Sequence, residues 1–142
     1  MYYSPEELRK FVTAQESDYA TALAEIRNGR KRSHWMWYIF PQIQGLGMSP
    51  TAQYYGIKDL EQAKDFLEHP YLGKNLIEIS NALLKLDSSN PSAVMGYPDD
   101  LKLCSCMTLF ECADPSIEVF GKVLDKFYKG HRDELTLNIL NR

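Results

Sequence analysis

The chain has 142 residues, of which 44% are hydrophobic and 12% aromatic, so its size and composition match one ordinary domain and exclude global disorder. The formal net charge of −3 argues against a general nucleic-acid-binding protein, which is normally basic overall. The N-terminus lacks the features of a signal peptide, no stretch is apolar enough to span a membrane, and the three cysteines (Cys104, Cys106 and Cys112) are too crowded for a secreted disulfide framework. We therefore expect a cytoplasmic protein.

Helical signals dominate from the N-terminus onward. Ser4–Glu7 is a capping box with proline at the first helical position. Ser17 or Asp18 is expected to cap a second helix, which Gly29 ends. A third helix is predicted from about Asp59 to His69, because the proline that follows His69 breaks it.

The remaining half of the chain has the same helical spacing of apolar residues. Tyr71–Leu86 is the longest periodic segment, and Asp87–Pro98 is predicted to be a loop because it is rich in serine, proline and asparagine. Three more helices are predicted, starting at Asp99 or Asp100, at Asp114-Pro115 and at Asp133.

These elements predict a single compact all-α domain over residues 1–142, with about six to eight helices. In two segments, Trp35–Phe40 and Leu101–Phe110, a minor strand is an alternative to a helix. We find no internal repeat, low-complexity tract or interdomain linker.

Residues 27–47 depart from this regular pattern, because cations, both tryptophans and several glycines are concentrated there. Four cations occur within six residues (Arg27, Arg30, Lys31 and Arg32), and no Asp or Glu lies between Ile26 and Lys58. A positive region without internal neutralisation attracts anions, for which arginine offers a planar fork and lysine a point charge.

The residues after these cations could complete a site for a small anionic ligand. Gly45-Leu46-Gly47 allows a ligand to approach the backbone closely, Ser33 could cap a short helix, and Gln42 could read the edge of a ring. A flat ring has three candidate stacking partners, which are His34, Trp35 and Trp37.

The same residues also have structural interpretations. The run Trp35–Phe40 is typical of a core, and cations near a helix C-terminus favour the macrodipole, which explains Arg27 best. For Lys31 and Arg32, anion binding and a solvated helix end are both open. A lone histidine such as His34 is more often a hydrogen-bonded structural residue than a ligand-binding one.

A second polar strip lies at Lys102, Ser105 and Thr108, whose spacing places them roughly on one face of a helix, where they could face a phosphate or a ribose. Alternatively, Ser105 and Thr108 are buried and donate to carbonyls of their own helix. The cysteines lack the spacing of a zinc site, and we find none of the Walker A, dinucleotide-binding, serine-hydrolase or zinc-protease motifs. No metal, cofactor or catalytic residue is therefore predicted.

Six motifs, in order along nearly the whole chain, resemble the bacterial family called domain of unknown function 1810: Phe11-Val12-x-Ala14-Gln15, Gly29-Arg30-Lys31-x-Ser33-His34-Trp35-Met36-Trp37, Ile39-Phe40-Pro41-Gln42, Gly45-Leu46-Gly47, His69-Pro70-x-Leu72-Gly73 and Lys102-x-x-Ser105-x-Met107-Thr108-Leu109-Phe110. The resemblance implies a stand-alone helical cytoplasmic domain of this size, but no substrate or mechanism. Cys104 and Cys106, which flank Ser105, depart from the expected pattern.

Many family members carry the label calpastatin, which this sequence does not support. Calpastatin inhibitory segments are disordered and fold on a protease, whereas this chain has apolar faces from end to end.

Two functional hypotheses follow. In the first, a nucleotide or ADP-ribose-like anion binds between Arg30–Trp37 and Lys102–Thr108, and any reaction there would be hydrolysis or group transfer on that ligand. In the second, the exposed part of the basic aromatic segment binds a protein or nucleic-acid partner. A concave pocket supports the first hypothesis, and convex exposure of Trp35 or Trp37 supports the second. A third, purely structural interpretation expects Arg30 and Lys31 to pair with carboxylates from elsewhere, such as Asp87 or Asp133, and no pocket beside them.

Overall fold

The computed structural model describes residues 5–142, with side chains from Glu7 onward. The described residues form nine helices and no strand: α1 (Pro5–Arg27), α2 (Met36–Ile39), α3 (Pro50–Tyr54), α4 (Leu60–Glu68), α5 (Leu72–Leu84), α6 (Pro91–Met95), α7 (Asp99–Ala113), α8 (Val119–Tyr128) and α9 (Glu134–Leu140). This confirms the prediction of an all-α domain. The described helices do not include one that is long and apolar enough to cross a membrane.

The first helix, α1, is continuous through the point where a second helix was expected to begin. The prediction that Ser17 or Asp18 caps a new helix is wrong, because both residues lie within α1 and bond elsewhere. The Ser17 hydroxyl donates to the Asp18 carboxylate, which also accepts a bond from the Tyr38 hydroxyl of α2. The predicted capping residue Ser4 lies outside the described residues.

The end of α1 agrees with the prediction at Gly29. Gly29 has a φ of +84°, its N–H donates to the carbonyl of Ile26, and the N–H of Arg30 donates to the carbonyl of Glu25. This pair of bonds is a Schellman motif, and it favours glycine because the left-handed backbone disfavours a Cβ. The motif reverses the chain and directs the basic segment back along α1.

The predicted loop Asp87–Pro98 contains a helix that the sequence reasoning missed. Asn90 caps α6 by accepting bonds from Ser92 N and Ala93 N, and Pro91 occupies its first position. The expectation that Asp99 or Asp100 caps the next helix is also wrong, because both lie inside the first turn of α7.

Other predicted boundaries vary in accuracy. Asp59 caps α4 and Asp133 caps α9, as expected. The helix expected at Asp114-Pro115 instead begins at Val119, because the Asp114 carboxylate holds a local turn by accepting bonds from Ser116. Trp35–Phe40 contains the short helix α2, and Leu101–Phe110 lies within α7, so neither is a strand.

The helix α7 is the centre of the core and packs against α4, α6, α8 and α9. Its residues 105–110 are all buried, so this helix is enclosed on every side instead of having one apolar face. Around it, α5 packs against α1, α4 and α8.

A buried polar pair joins α1, α2 and α5. The Asn75 amide donates to the Gln15 side-chain oxygen over 3.0 Å, and the Gln15 amide donates to the backbone oxygen of Tyr38 over 2.8 Å. Because both side chains are buried, these bonds also prevent the cost of unsatisfied polar groups. They fix α2 against α1, which determines where the two tryptophans lie.

The segment between α2 and α4 is held by one parallel bridge between Ile43 and Ile57. Gln44 N donates to Ile57 O over 2.7 Å, and Ile57 N donates to Gln42 O over 2.9 Å. These bonds anchor residues 42–47 beside the first turns of α7 and α9, where the candidate site lies.

Gly73→Ala is expected to lower the free energy of unfolding by about 2 kcal/mol, because a Cβ there would clash with the carbonyl oxygen of Leu67 in α4. Urea unfolding of the two proteins measures the difference. Gly121→Ala is the matched control, since its Cβ would meet mainly the flexible end of Glu111. Equal losses in the two variants would contradict the close packing of α5 on α4.

Candidate functional site

The carboxylate of Glu25, in the last turns of α1, organises the start of the basic segment. Its Oε1 accepts bonds from Arg32 N (2.8 Å), Ser33 N (2.9 Å) and the Trp35 indole N–H (2.9 Å). Its Oε2 accepts a bond of 2.5 Å from the Ser33 hydroxyl. One side chain therefore fixes two backbone amides, a hydroxyl and a buried indole.

These bonds change the ionisation of Glu25. Burial raises the pKa of the carboxyl, but the bonds from Ser33, Arg32 and Trp35 outweigh burial and lower the pKa to about 2. The ionised form is thus the one that the segment requires. The carboxylate that holds the acid-free window thus lies just outside its N-terminal boundary.

Lys31 is bound on several sides. Its Nζ lies 2.9 Å from the Asp99 carboxylate, donates to Ser33 O over 2.6 Å, and stands 5.0 Å from the centroid of the Trp35 ring. The Lys31 side chain is only 9% exposed, and its backbone N–H donates to Val94 O of α6. This pairing is the one that the structural interpretation expected, although the carboxylate comes from Asp99.

Lys102 contacts the other side of the same carboxylate but is held less firmly. Its Nζ lies 3.5 Å from Asp99 Oδ1 and 5.4 Å from the centroid of the half-buried Trp37 ring, and its side chain is 28% exposed. Asp99 thus joins two lysines, each of which lies against one of the two tryptophans. This arrangement brings the segment Arg30–Trp37 next to the start of α7.

A cleft of about 290 Å³ opens beside Lys102, between the 42–47 segment and the first turns of α7 and α9. Its walls are formed by Gln42, Leu46, Gly47, Pro98, Leu101, Lys102, Ser105, Asp133 and Leu135. Three predicted site residues (Gln42, Lys102 and Ser105) therefore share one concave surface. The walls between them are mainly apolar.

Ser105 and Thr108 support the floor of this cleft. The Thr108 hydroxyl donates to Cys104 O and accepts a bond from Asp133 N, whereas the Ser105 hydroxyl contacts Leu101 O and Asp133 Oδ2. Both donate to their own helix, as the alternative interpretation expected. Thr108 is fully buried, while Ser105 also lines the cleft.

The other predicted residues lie apart from the cleft walls. Trp35 is buried against Lys31, and the Ser33 hydroxyl is used by Glu25. Arg30 and His34 are exposed, with no carboxylate within 4 Å of either side chain in the part of the chain whose side chains are described.

Several residues of this region were missed or were assigned only one role. Asp99 and Asp133 were assigned as helix caps, but Asp99 pairs with two lysines and Asp133 both caps α9 and lines the cleft. The i, i+3 spacing of Asp99 and Lys102 was the one local signal for their pairing. Nothing local indicated that Leu101 and Leu135 would face each other across a cleft.

The cysteines near the cleft are poorly suited to act as nucleophiles. Burial, assisted by the charge of Asp133, raises the pKa of the Cys104 thiol to about 11, and burial raises the pKa of Cys106 and Cys112 as well. The reactive thiolate is therefore scarce at neutral pH. Within residues 7–142, no three His, Cys, Asp or Glu side chains are grouped so that they could hold a metal ion.

One family model and one solved structure match this chain. The family model described as "Protein of unknown function (DUF1810)" matches residues 5–140. The crystal structure of the conserved hypothetical protein Rv1873 from Mycobacterium tuberculosis is 43% identical, with a TM-score of 0.95 over 98% of this chain and 99% of that chain. None of the curated proteins matches the chain.

Glu25→Gln is expected to lower the free energy of unfolding at pH 7 by about 2 kcal/mol, because bonds to a charged acceptor are lost. The Glu25 contribution is fully present above the ordinary pKa of 4.5 and is lost as the pH falls towards the folded-state pKa of about 2. The stability difference between wild type and variant should therefore shrink between pH 4.5 and pH 2.

Urea unfolding at pH 7 and pH 3, followed by tryptophan fluorescence, measures this difference. Glu16→Gln is the matched control, because Glu16 is exposed on the same helix. A stability difference that stays the same at both pH values would show that the ionised Glu25 carboxylate does not hold the segment.

Proposed function

We propose that this chain, which belongs to the family described as protein of unknown function (DUF1810), binds a small anionic molecule in the cleft beside Lys102. The observation that carries the proposal is the convergence of Gln42, Lys102 and Ser105 on one concave surface. Gln42 comes from the segment after α2, whereas Lys102 and Ser105 lie one turn apart on α7, and the three side chains differ in chemistry. A cleft with a few convergent polar groups is the usual form of a small-molecule site.

Lys102 is the cation best suited to receive the anion. Its contact with Asp99 is long, at 3.5 Å, and partly exposed, and ion pairs of this kind contribute only about 0–1 kcal/mol. An incoming phosphate or carboxylate can therefore replace Asp99 at little cost. Lys31 differs, because its shorter and more buried contacts would have to be broken.

Gln42 supplies the other contact in this proposal, and Trp37, which does not line the cleft, positions Lys102. The Trp37 ring already lies against the Lys102 ammonium, and Gln42 can both donate and accept bonds at the cleft wall. Within this class we favour a ligand no larger than a mononucleotide. An ADP-ribose-like ligand would extend beyond a cleft of about 290 Å³, which is at the lower limit for small-molecule sites.

The alternative function, an interaction module with a basic aromatic surface, receives less support from the tryptophans. That function requires convex exposure of Trp35 or Trp37. Trp35 is buried, and Trp37 is half-buried beneath Lys102. The geometry therefore favours a ligand in a cleft over a partner on a convex aromatic face.

Lys102→Gln is expected to weaken ligand binding by about 10-fold or more, because a charge-assisted bond is lost. Binding is measured by the rise in melting temperature with inorganic phosphate, ribose 5-phosphate, AMP and ADP-ribose. Lys122→Gln is the matched control, since Lys122 is an exposed lysine on α8, away from the cleft. Equal stabilisation of both variants by every ligand would overturn the proposal.

Lys31→Met is expected to change the stability of the ligand-free protein and not the binding of the ligand. It should lower the melting temperature of the ligand-free protein, because Asp99 and the carbonyl of Ser33 lose a partially buried partner. The ligand-induced rise should remain. Loss of that rise in a folded Lys31→Met variant would assign anion binding to Lys31 instead.

A further inference from the structure

We infer that the ligand of this cleft is amphipathic: its anionic group is attached to an apolar body about the size of one ring, as in an aryl phosphate. This inference rests on the proposed function and specifies the substrate class of the same site. It is carried by a different observation, which is the position of the exposed apolar side chains.

Exposed large hydrophobic side chains are concentrated among the residues that line the cleft and their neighbours in the chain. Within residues 7–142 there are five of them, and four either line the cleft or directly adjoin a lining residue in sequence: Met48 (77% exposed), Tyr97 (79%), Leu101 (54%) and Leu135 (65%). Leu101 and Leu135 line the cleft, Met48 follows the lining residue Gly47, and Tyr97 precedes the lining residue Pro98. We name these four residues the apolar rim. Apolar exposure gathered at one concavity is typical of a binding surface.

The apolar rim and the cation belong to the same cleft. Leu101 and Lys102 are consecutive residues of α7, so the anion site and one apolar wall are joined in the chain. Leu135 forms the facing wall from α9, and Leu46 adds a third apolar surface. A ligand whose charge reaches Lys102 must therefore place the atoms attached to that charge between apolar side chains.

This lining discriminates between classes of anion. Leu46, Pro98, Leu101 and Leu135 have no side-chain hydrogen-bonding groups, and Ser105 and Asp133 already bond to each other and within their own helices. Gln42 is then the one lining side chain left to pair with the several hydroxyl groups of a sugar phosphate, and most of them would have no partner. A flat ring has no such requirement on its faces, and it is favoured by the removal of apolar surface from water. The volume of about 290 Å³ suits one ring and one charged group.

The test compares anions that differ in the attached body: inorganic phosphate, ribose 5-phosphate and phenyl phosphate. We expect phenyl phosphate to bind about 10-fold more tightly than the other two, because only its ring removes apolar surface from water. Binding is measured by isothermal titration calorimetry. In the double variant Leu101→Ser/Leu135→Ser, that preference should fall to about 3-fold or less.

Tyr54→Ser is the matched control, because Tyr54 is the remaining exposed large hydrophobic residue and does not line this cleft. It should retain the full preference. Ribose 5-phosphate binding as tightly as phenyl phosphate, or a preference that survives in the double variant, would overturn the inference while leaving the proposed function intact. Absence of any binding that depends on Lys102 would refute both.

Sedimentation velocity of wild type and double variant supplies a second readout. We expect the same oligomeric state for both proteins. If the wild type is a dimer and the double variant a monomer, the apolar rim is an interface between copies of the chain, and the inference is wrong.

Discussion

The ionised carboxylate of Glu25 is the interaction on which the geometry of this protein's basic segment depends. It binds two backbone amides, the Ser33 hydroxyl and the Trp35 indole, all of which lie within the ten residues that follow it. With the chain held in this way, Trp35 is buried and α2 begins directly after it. The position of Trp37 beside α7 follows from these constraints. Since each bond is made to a charged acceptor, the arrangement is more stable while Glu25 is ionised than when it is protonated.

A second carboxylate, that of Asp99, contacts two lysines, Lys31 and Lys102, which differ in how firmly they are held. Lys31 contacts it closely and is enclosed by Ser33 and Trp35, whereas Lys102 contacts it at a longer distance and faces the cleft. The same residue type therefore has two roles, one structural and one available to a ligand. Burial and the number of partners make the difference, because a cation with several partners loses more when an anion displaces one of them.

The fold could be predicted from the sequence to the extent that its signals are local. Asp59, Gly29 and Asp133 mark helix ends through their own side chains or backbone freedom, and the structure agrees at all three. The continuity of α1 could not be predicted, because Asp18 looks like a cap until its bond to Tyr38, twenty residues away, is known. The helix α6 was missed because its capping residues are also typical of loops.

The candidate site was predictable in part for the same reason. The concentration of cations and aromatic rings indicated the region, and the spacing of Lys102 and Ser105 indicated a helix face. Which cation is neutralised depends on Asp99, which is brought close to Lys31 only by the packing of α7. The most direct measurement is a crystal structure of the protein soaked with tungstate, a heavy phosphate analogue. Our account predicts tungstate in the cleft, in contact with Lys102 Nζ; tungstate bound at Arg30–Ser33, with the cleft empty, would contradict it.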